Sequence, residues 1–211
     1  MIPVPNLLPG TLPESALDEE IARAELYGLL ALFYYAPPAA ESLAQLRVAA
    51  TDAPVVGALL ETPWRALVGL AQELSVQQIQ SEYNVLFGGI GKPEIYLYAS
   101  YYLSGFLNEK PLARLRADLA RLELARDDEV SETEDHVACL CEVMRYLIAA
   151  DNTALDNLKR QQEFFAHHLQ PWIGTLCEAI KSHPKAHFYA AVAVLTREFM
   201  AVEVQAFDML D

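Results

Sequence analysis

Cysteine is scarce in this chain. Cys139, Cys141 and Cys177 are all it has, an odd number without framework spacing, which argues against a disulfide scaffold and fits a reducing compartment. Glycine is sparse too: 9 in 211 residues are too few for the turns of a β-rich fold. Positive charge is short, with 15 Lys and Arg against 29 Asp and Glu. The resulting net charge of −14 repels nucleic-acid phosphates and anionic headgroups. A basic partner is the natural complement, although acidity also serves solubility alone. No apolar run is long enough to span a bilayer, since the longest uncharged stretch, Leu26 to Ala40, is broken by Pro37-Pro38. Met1 to Glu20 has no Lys or Arg and no apolar core of the signal-peptide kind, and its prolines make it an extended arm. A cytoplasmic protein is expected.

What is present is apolar material at helical spacing, 53% of the chain. The expected fold is all-α: a single-domain bundle of about nine to ten helices over 15–211, preceded by an arm over 1–14, with a hinge near 125–131. Ser15 is placed to cap a long first helix that stops before Pro37-Pro38. Shorter helices follow over about 39–50 and 63–74, separated at Asp52-Ala-Pro54 and Thr62-Pro63. Ser75 opens a helix through Tyr83 and Phe87, which ends at Gly88-Gly-Ile-Gly91-Lys-Pro93. The tyrosine-rich stretch Ile95 to Leu103 has the propensity of a short strand or of an aromatic-rich helical turn, and is read here as a loop entering a helix. A further helix over about 109–124 carries Leu112, Leu115, Leu119 and Leu122 on one stripe. The clearest periodicity is Val137, Leu140, Cys141, Met144, Leu147 and Ile148. Helices over about 154–169 and from Pro171-Trp172 to His183-Pro184 precede a last one, with Phe188, Val192, Leu195, Phe199 and Val202 as its seam.

Ser131-Glu-Thr-Glu134 has capping-box spacing, so a helix start near 132 is expected, with Glu132, Glu134 and Asp135 complementing its positive end. On that helix His136 falls at the border of core and solvent, and Asp135 points away from the apolar stripe. No serine or cysteine is tied to the histidine in a nucleophilic pattern. A metal site at His136-x-x-Cys139-x-Cys141 fails, because the two cysteines stand about 200° apart on a helix. Gly88 to Lys92 follows a helix and lacks the Gly-Lys-Ser/Thr ending of a phosphate loop, so it is a turn. The tyrosines 96, 98, 101 and 102 are either core or an aromatic groove for a peptide. Phe164 to Trp172 reads first as a helix-to-helix corner with a buried Trp.

Four segments in order, Glu82-Tyr-Asn-Val-Leu-Phe-Gly88, Tyr98-Ala-Ser100-Tyr-Tyr, Glu132-x-x-Asp-His136 and His168-Leu-Gln-Pro-Trp172, resemble the TorD/DmsD/NarJ family of redox-enzyme maturation chaperones. The resemblance implies a non-catalytic, cytoplasmic chaperone that binds the twin-arginine signal peptide or the immature catalytic subunit of a molybdenum-cofactor oxidoreductase. It implies no catalytic residues, no metal ligands and no resident cofactor, leaving weak nucleotide binding open, and a monomer or homodimer that neither binds nucleic acid nor inserts stably into membranes. The client-binding residues it points to are Tyr83, Phe87, Tyr98, Ser100, Tyr101, Glu132, Asp135, His136, Pro171 and Trp172. Leu97-Tyr98 stands where many relatives show Pro-Trp, and Ser104 where Asp is frequent. The rival expectations are a helical metal-dependent enzyme using His136 and a structural adaptor subunit.

Overall fold

The computed structural model describes residues 14–49, 60–88, 92–127, 130–150 and 154–210, with side chains from residue 19 in the first segment and from 157 in the last. Among the described residues there are ten helices and no strand. They are α1 (Glu14–Tyr35), α2 (Ala40–Val48), α3 (Glu61–Glu73), α4 (Val76–Leu86) and α5 (Ala99–Ser104), followed by α6 (Lys110–Arg121), α7 (Val137–Ala149), α8 (Ala154–His168), α9 (Gln170–Lys181) and α10 (Phe188–Asp208). α1 is already helical at Glu14, so Ser15 lies in its first turn and is not the residue before it as a cap requires; the Asp52-Ala-Pro54 break, residues 89–91 of the glycine turn and the part of the arm before Glu14 lie outside the described residues.

α1 and α7 form the most extensive helix pair. The apolar stripe of α7 is buried along its whole length, against Leu26, Tyr27, Leu30, Phe33 and Tyr34 in the same core. Gly28 lets the pair approach, since a Cβ there would stand 3.0 Å from Arg145 Cδ. α10 packs on α9 and α3, α8 on α7 and α9, and α5 on α6 and α9.

Two polar devices tie chain ends to this core. The Glu82 carboxylate, on α4, accepts the backbone N–H groups of His187 (2.9 Å), Phe188 (3.1 Å) and Tyr189 (2.8 Å), satisfying orphan donors at the start of α10. Arg23 of α1 lies buried against Glu203 of α10, Nε to Oε1 at 2.7 Å and Nη2 to Oε2 at 2.8 Å. Gln161 of α8 accepts from the same guanidinium, and Tyr27 donates to the same carboxylate. Burial alone would disfavour the Arg23 cation, but Glu203, with Glu20 beside it, more than offsets this and holds its pKa above the ordinary value.

Ser75 opens α4 with a full capping box, reciprocated by Gln78. The capping box expected at Ser131 does not form. α7 begins at Val137, five residues later than that start, and its N-cap is His136. Glu134 is drawn instead to Arg116 of α6, which donates to both of its carboxylate oxygens at 3.1 and 2.9 Å. The Ser131 hydroxyl turns to Glu132. Arg126 donates to the carbonyls of Val130 and Glu132, folding this connection onto itself beside the expected hinge.

Candidate functional site

The segments entering α5 and α7 meet in a single antiparallel bridge between Tyr98 and His136. Val137 N–H donates to the Leu97 carbonyl at 2.8 Å and Ala99 N–H to the Asp135 carbonyl at 3.0 Å. Both helices therefore start from one shared knot of backbone. Asp135 is buried beneath it: Oδ2 accepts Ser100 N–H in the first turn of α5 at 3.0 Å, and Oδ1 accepts the Thr133 hydroxyl at 2.7 Å. Asp135 thus points inward, not away from the core as a helix starting near 132 requires. Its carboxylate complements the positive end of a helix that is not its own. Ser100 is fully buried, and its hydroxyl has no hydrogen-bond partner among the described residues.

His136 also differs from its expected border position, being 3% exposed. Its Nδ1 accepts the Ala138 N–H at 3.2 Å, so the neutral ring caps α7 in place of the usual Ser or Asp. Burial lowers its pKa to about 4, against the opposing pull of Glu132 and Asp135. The sign follows from that depression. Above about pH 6.5 the ring is neutral in folded and unfolded chains alike; as pH falls towards 4 only the unfolded chain takes up a proton, so stability is lost on acidification. Asparagine can cap without titrating. The expected result for His136→Asn is a shallower loss of stability between pH 6.5 and 4.5 in urea melts, by about 1–2 kcal/mol. A slope identical to wild type counts against the neutral-cap role.

Over this cap lies a patch of aromatic edges and one carboxylate. The Tyr98 ring meets the His136 ring edge to face at 5.0 Å, and Tyr35, 41% exposed, does so at 6.5 Å. The Tyr98 hydroxyl donates to the Glu132 carboxylate. Tyr83 lies behind, its hydroxyl on the Tyr34 carbonyl at 3.1 Å, and burial together with the charges of Glu132 and Tyr35 pushes its pKa up to about 12. Phe87 packs against Tyr83, Tyr34 and Tyr189. Cys139, at the same helix start, is pushed up to about 12 by burial and by the surrounding carboxylates, which leaves it a protonated, weakly nucleophilic thiol.

Of the residues singled out in the sequence, the structure gathers Tyr83, Tyr98, Glu132 and His136 at this patch, with Phe87 behind and Asp135 and Ser100 beneath. The remaining three belong to the α5–α9 contact. Trp172 is buried, stacks on Tyr102 at 5.4 Å and donates its Nε1–H to the His168 carbonyl at 2.7 Å. Tyr101 leans on Tyr96 and Tyr102, and Pro171 is exposed beside a groove. Tyr35 is the patch residue not foreseen; its signal is the run Phe33-Tyr34-Tyr35, which leaves one ring off the core face just before Pro37-Pro38. Among the described residues no group of three or more His, Cys, Asp or Glu side chains could hold a metal ion, and no helix is long and apolar enough to cross a membrane.

Comparison with known proteins gives the family and the fold. The family model described as nitrate reductase delta subunit matches residues 54–178. Chaperone protein TorD from Aliivibrio fischeri is 29% identical over 136 residues, covering 61% of this chain and 63% of that protein, a little under two thirds of its length. TorD from Shewanella loihica is 26% identical, over 66% of this chain and 67% of its own. The fold is that of a crystal structure described as a putative redox enzyme maturation protein from Archaeoglobus fulgidus. It superposes with a TM-score of 0.56 at 18% identity and covers 85% of this chain and 93% of that one.

Proposed function

Because this chain belongs to the nitrate reductase delta subunit family, as a TorD-like redox-enzyme maturation chaperone and not an enzyme, we propose that it binds the twin-arginine signal peptide of an immature molybdenum-cofactor oxidoreductase. Held in the cytoplasm on this chaperone, the catalytic subunit receives its cofactor before export. The observation that carries this reading is the Glu132 carboxylate, fixed by the Tyr98 hydroxyl at the edge of an aromatic patch with a half-open Tyr35. A guanidinium is the cation that patch suits best. Its planar fork matches a carboxylate, its face stacks on a phenol ring, and it is less costly to desolvate than an ammonium.

In this scheme Glu132, Tyr98 and Tyr35 touch the client's arginine. Tyr83 and Phe87 back the patch, and Asp135, Ser100 and His136 hold the two helix starts that carry it. Tyr101, Pro171 and Trp172 fix α5 from its other neighbour. Titration calorimetry with the client's signal peptide tests the scheme. Glu132→Gln is expected to weaken binding about tenfold to a hundredfold, and replacing the peptide's arginine pair by lysines to weaken it by a similar factor. Unchanged affinity in a folded Glu132→Gln, Tyr98→Phe double variant removes the patch from client recognition.

A further inference from the structure

A second surface lies directly behind the first. Where His136 turns to the tyrosines, its neighbour Asp135 faces a groove of about 360 Å³ between α5, α6 and the α8–α9 corner. The floor is apolar, made by Leu115, Leu140 and Pro111, and Lys110, Arg114 and His167 are among the exposed polar side chains that line it. In a chain of net charge −14, the two cations Lys110 and Arg114 against one lining carboxylate, that of the buried Asp135, reverse the sign locally. Its effect is felt by the buried His168, whose pKa is lowered to about 4 by burial and then by His167, Arg114 and Arg121. His168 is therefore neutral, hydrogen-bonded to Asp118 at 2.7 Å.

The groove continues into an exposed apolar lip. Leu103 (42%), in the last turn of α5, and Phe106 (70%) and Leu107 (40%), between α5 and α6, stand in solvent. Three large apolar side chains presented together are unusual on a free surface. The loop that presents them is shaped by positive φ at Gly105 (82°) and Asn108 (59°), and the Ser104 hydroxyl anchors it through the Ser100 carbonyl at 2.7 Å. The lip is thus held in place by local hydrogen bonding and backbone geometry.

We infer that the α5–α6 groove and its lip are a docking site for an acidic amphipathic protein segment, whose apolar side chains lie on Leu103, Phe106 and Leu115 while its carboxylates meet Lys110 and Arg114. Charge complementarity selects this occupant: a basic signal segment is repelled here and attracted to Glu132, so the two faces take segments of opposite charge. The inference stands apart from the proposed signal-peptide patch and is tested apart from it.

The probe is a fluorescein-labelled peptide of about 15 residues with Leu and Phe at helical i, i+4 spacing flanked by Asp and Glu, read by anisotropy on the full chain. Saturable binding is expected, weakened about tenfold or more by the Lys110→Glu, Arg114→Glu double variant and again by Phe106→Ala, and weakening as salt is raised. All three side chains are exposed, so these variants keep the fold. Glu132→Gln is expected to leave this binding unchanged. Equal binding to wild type and double variant overturns the proposal. So does equal binding of the peptide with its acids replaced by lysines, or displacement of the peptide by inorganic phosphate alone, which makes the groove a small-anion site.

Discussion

Glu203→Ala is expected to lower the stability of this chain by about 3–5 kcal/mol, more than most surface changes combined. The carboxylate is wholly buried and receives Arg23 in a two-point fork and Tyr27 at 3.0 Å. Removing it leaves a guanidinium 5% exposed, with Gln161 and Glu20 as its remaining side-chain acceptors among the described residues and Phe207 under it at 5.6 Å. The loss belongs to the stranded charge more than to the lost bond. The Arg23→Met, Glu203→Leu double variant, which removes both charges and keeps the volume apolar, is accordingly expected to recover most of the stability. Urea unfolding midpoints of the three proteins decide it. A Glu203→Ala loss below about 1 kcal/mol, or a double variant less stable than the single, contradicts a buried, mutually dependent pair.

Trp172→Ala is the second large effect, at about 3–5 kcal/mol, equivalent to a fall in melting temperature of roughly 10 °C for a chain of this size. Two losses combine. The indole is among the largest fully buried side chains and stacks on Tyr102, so its removal leaves a cavity between α5 and α9. Its Nε1–H also satisfies the His168 carbonyl, one of the orphan acceptors at the end of α8. Trp172→Phe keeps most of the ring contact and loses only that bond, so about 1–2 kcal/mol is expected. Thermal unfolding of both variants separates the two contributions. Equal losses would mean that packing against Tyr102 counts for little.

The helices were legible wherever burial follows a short period. Leu112, Leu115 and Leu119, the stripe from Val137 to Ile148, and the Phe188 to Phe199 part of the last seam are buried as their spacing requires, while Leu122 and Val202, the last members of two of these stripes, are half-buried. Ser75 was legible as a cap because its partner, Gln78, lies three residues away. The same local rule misplaced the start of α7. Ser131-x-x-Glu134 has the right spacing, but Arg116, 18 residues upstream of Glu134, outcompetes the box for that carboxylate. The bridge to Leu97 then sets where α7 begins. Long-range partners were beyond reach for the same reason: nothing near Glu203 announces that Arg23 will neutralise it. The groove was equally hidden, since Lys110 and Arg114 on α6, His167 on α8 and Leu103 on α5 are unremarkable until the fold sets them around one cavity. For the patch, motif order pointed to Glu132, Asp135 and His136, while their division into a contact, a brace and a cap appears only in three dimensions.

The Arg23–Glu203 pair spans a sequence separation of 180 residues. On a ribosome adding about 5–20 residues each second, Arg23 emerges roughly 10–40 s before its carboxylate. During that interval the first helix can nucleate and touch what has already been made, but Arg23 has only Glu20, three residues back on the same helix, as its ionic partner on the face it must later bury. The long pairing of α1 with α7 can be drafted early and completed only when α10 arrives. The buried pair therefore forms only when both ends of that span exist, so the face of α1 around Arg23 is among the last parts of the core to be neutralised.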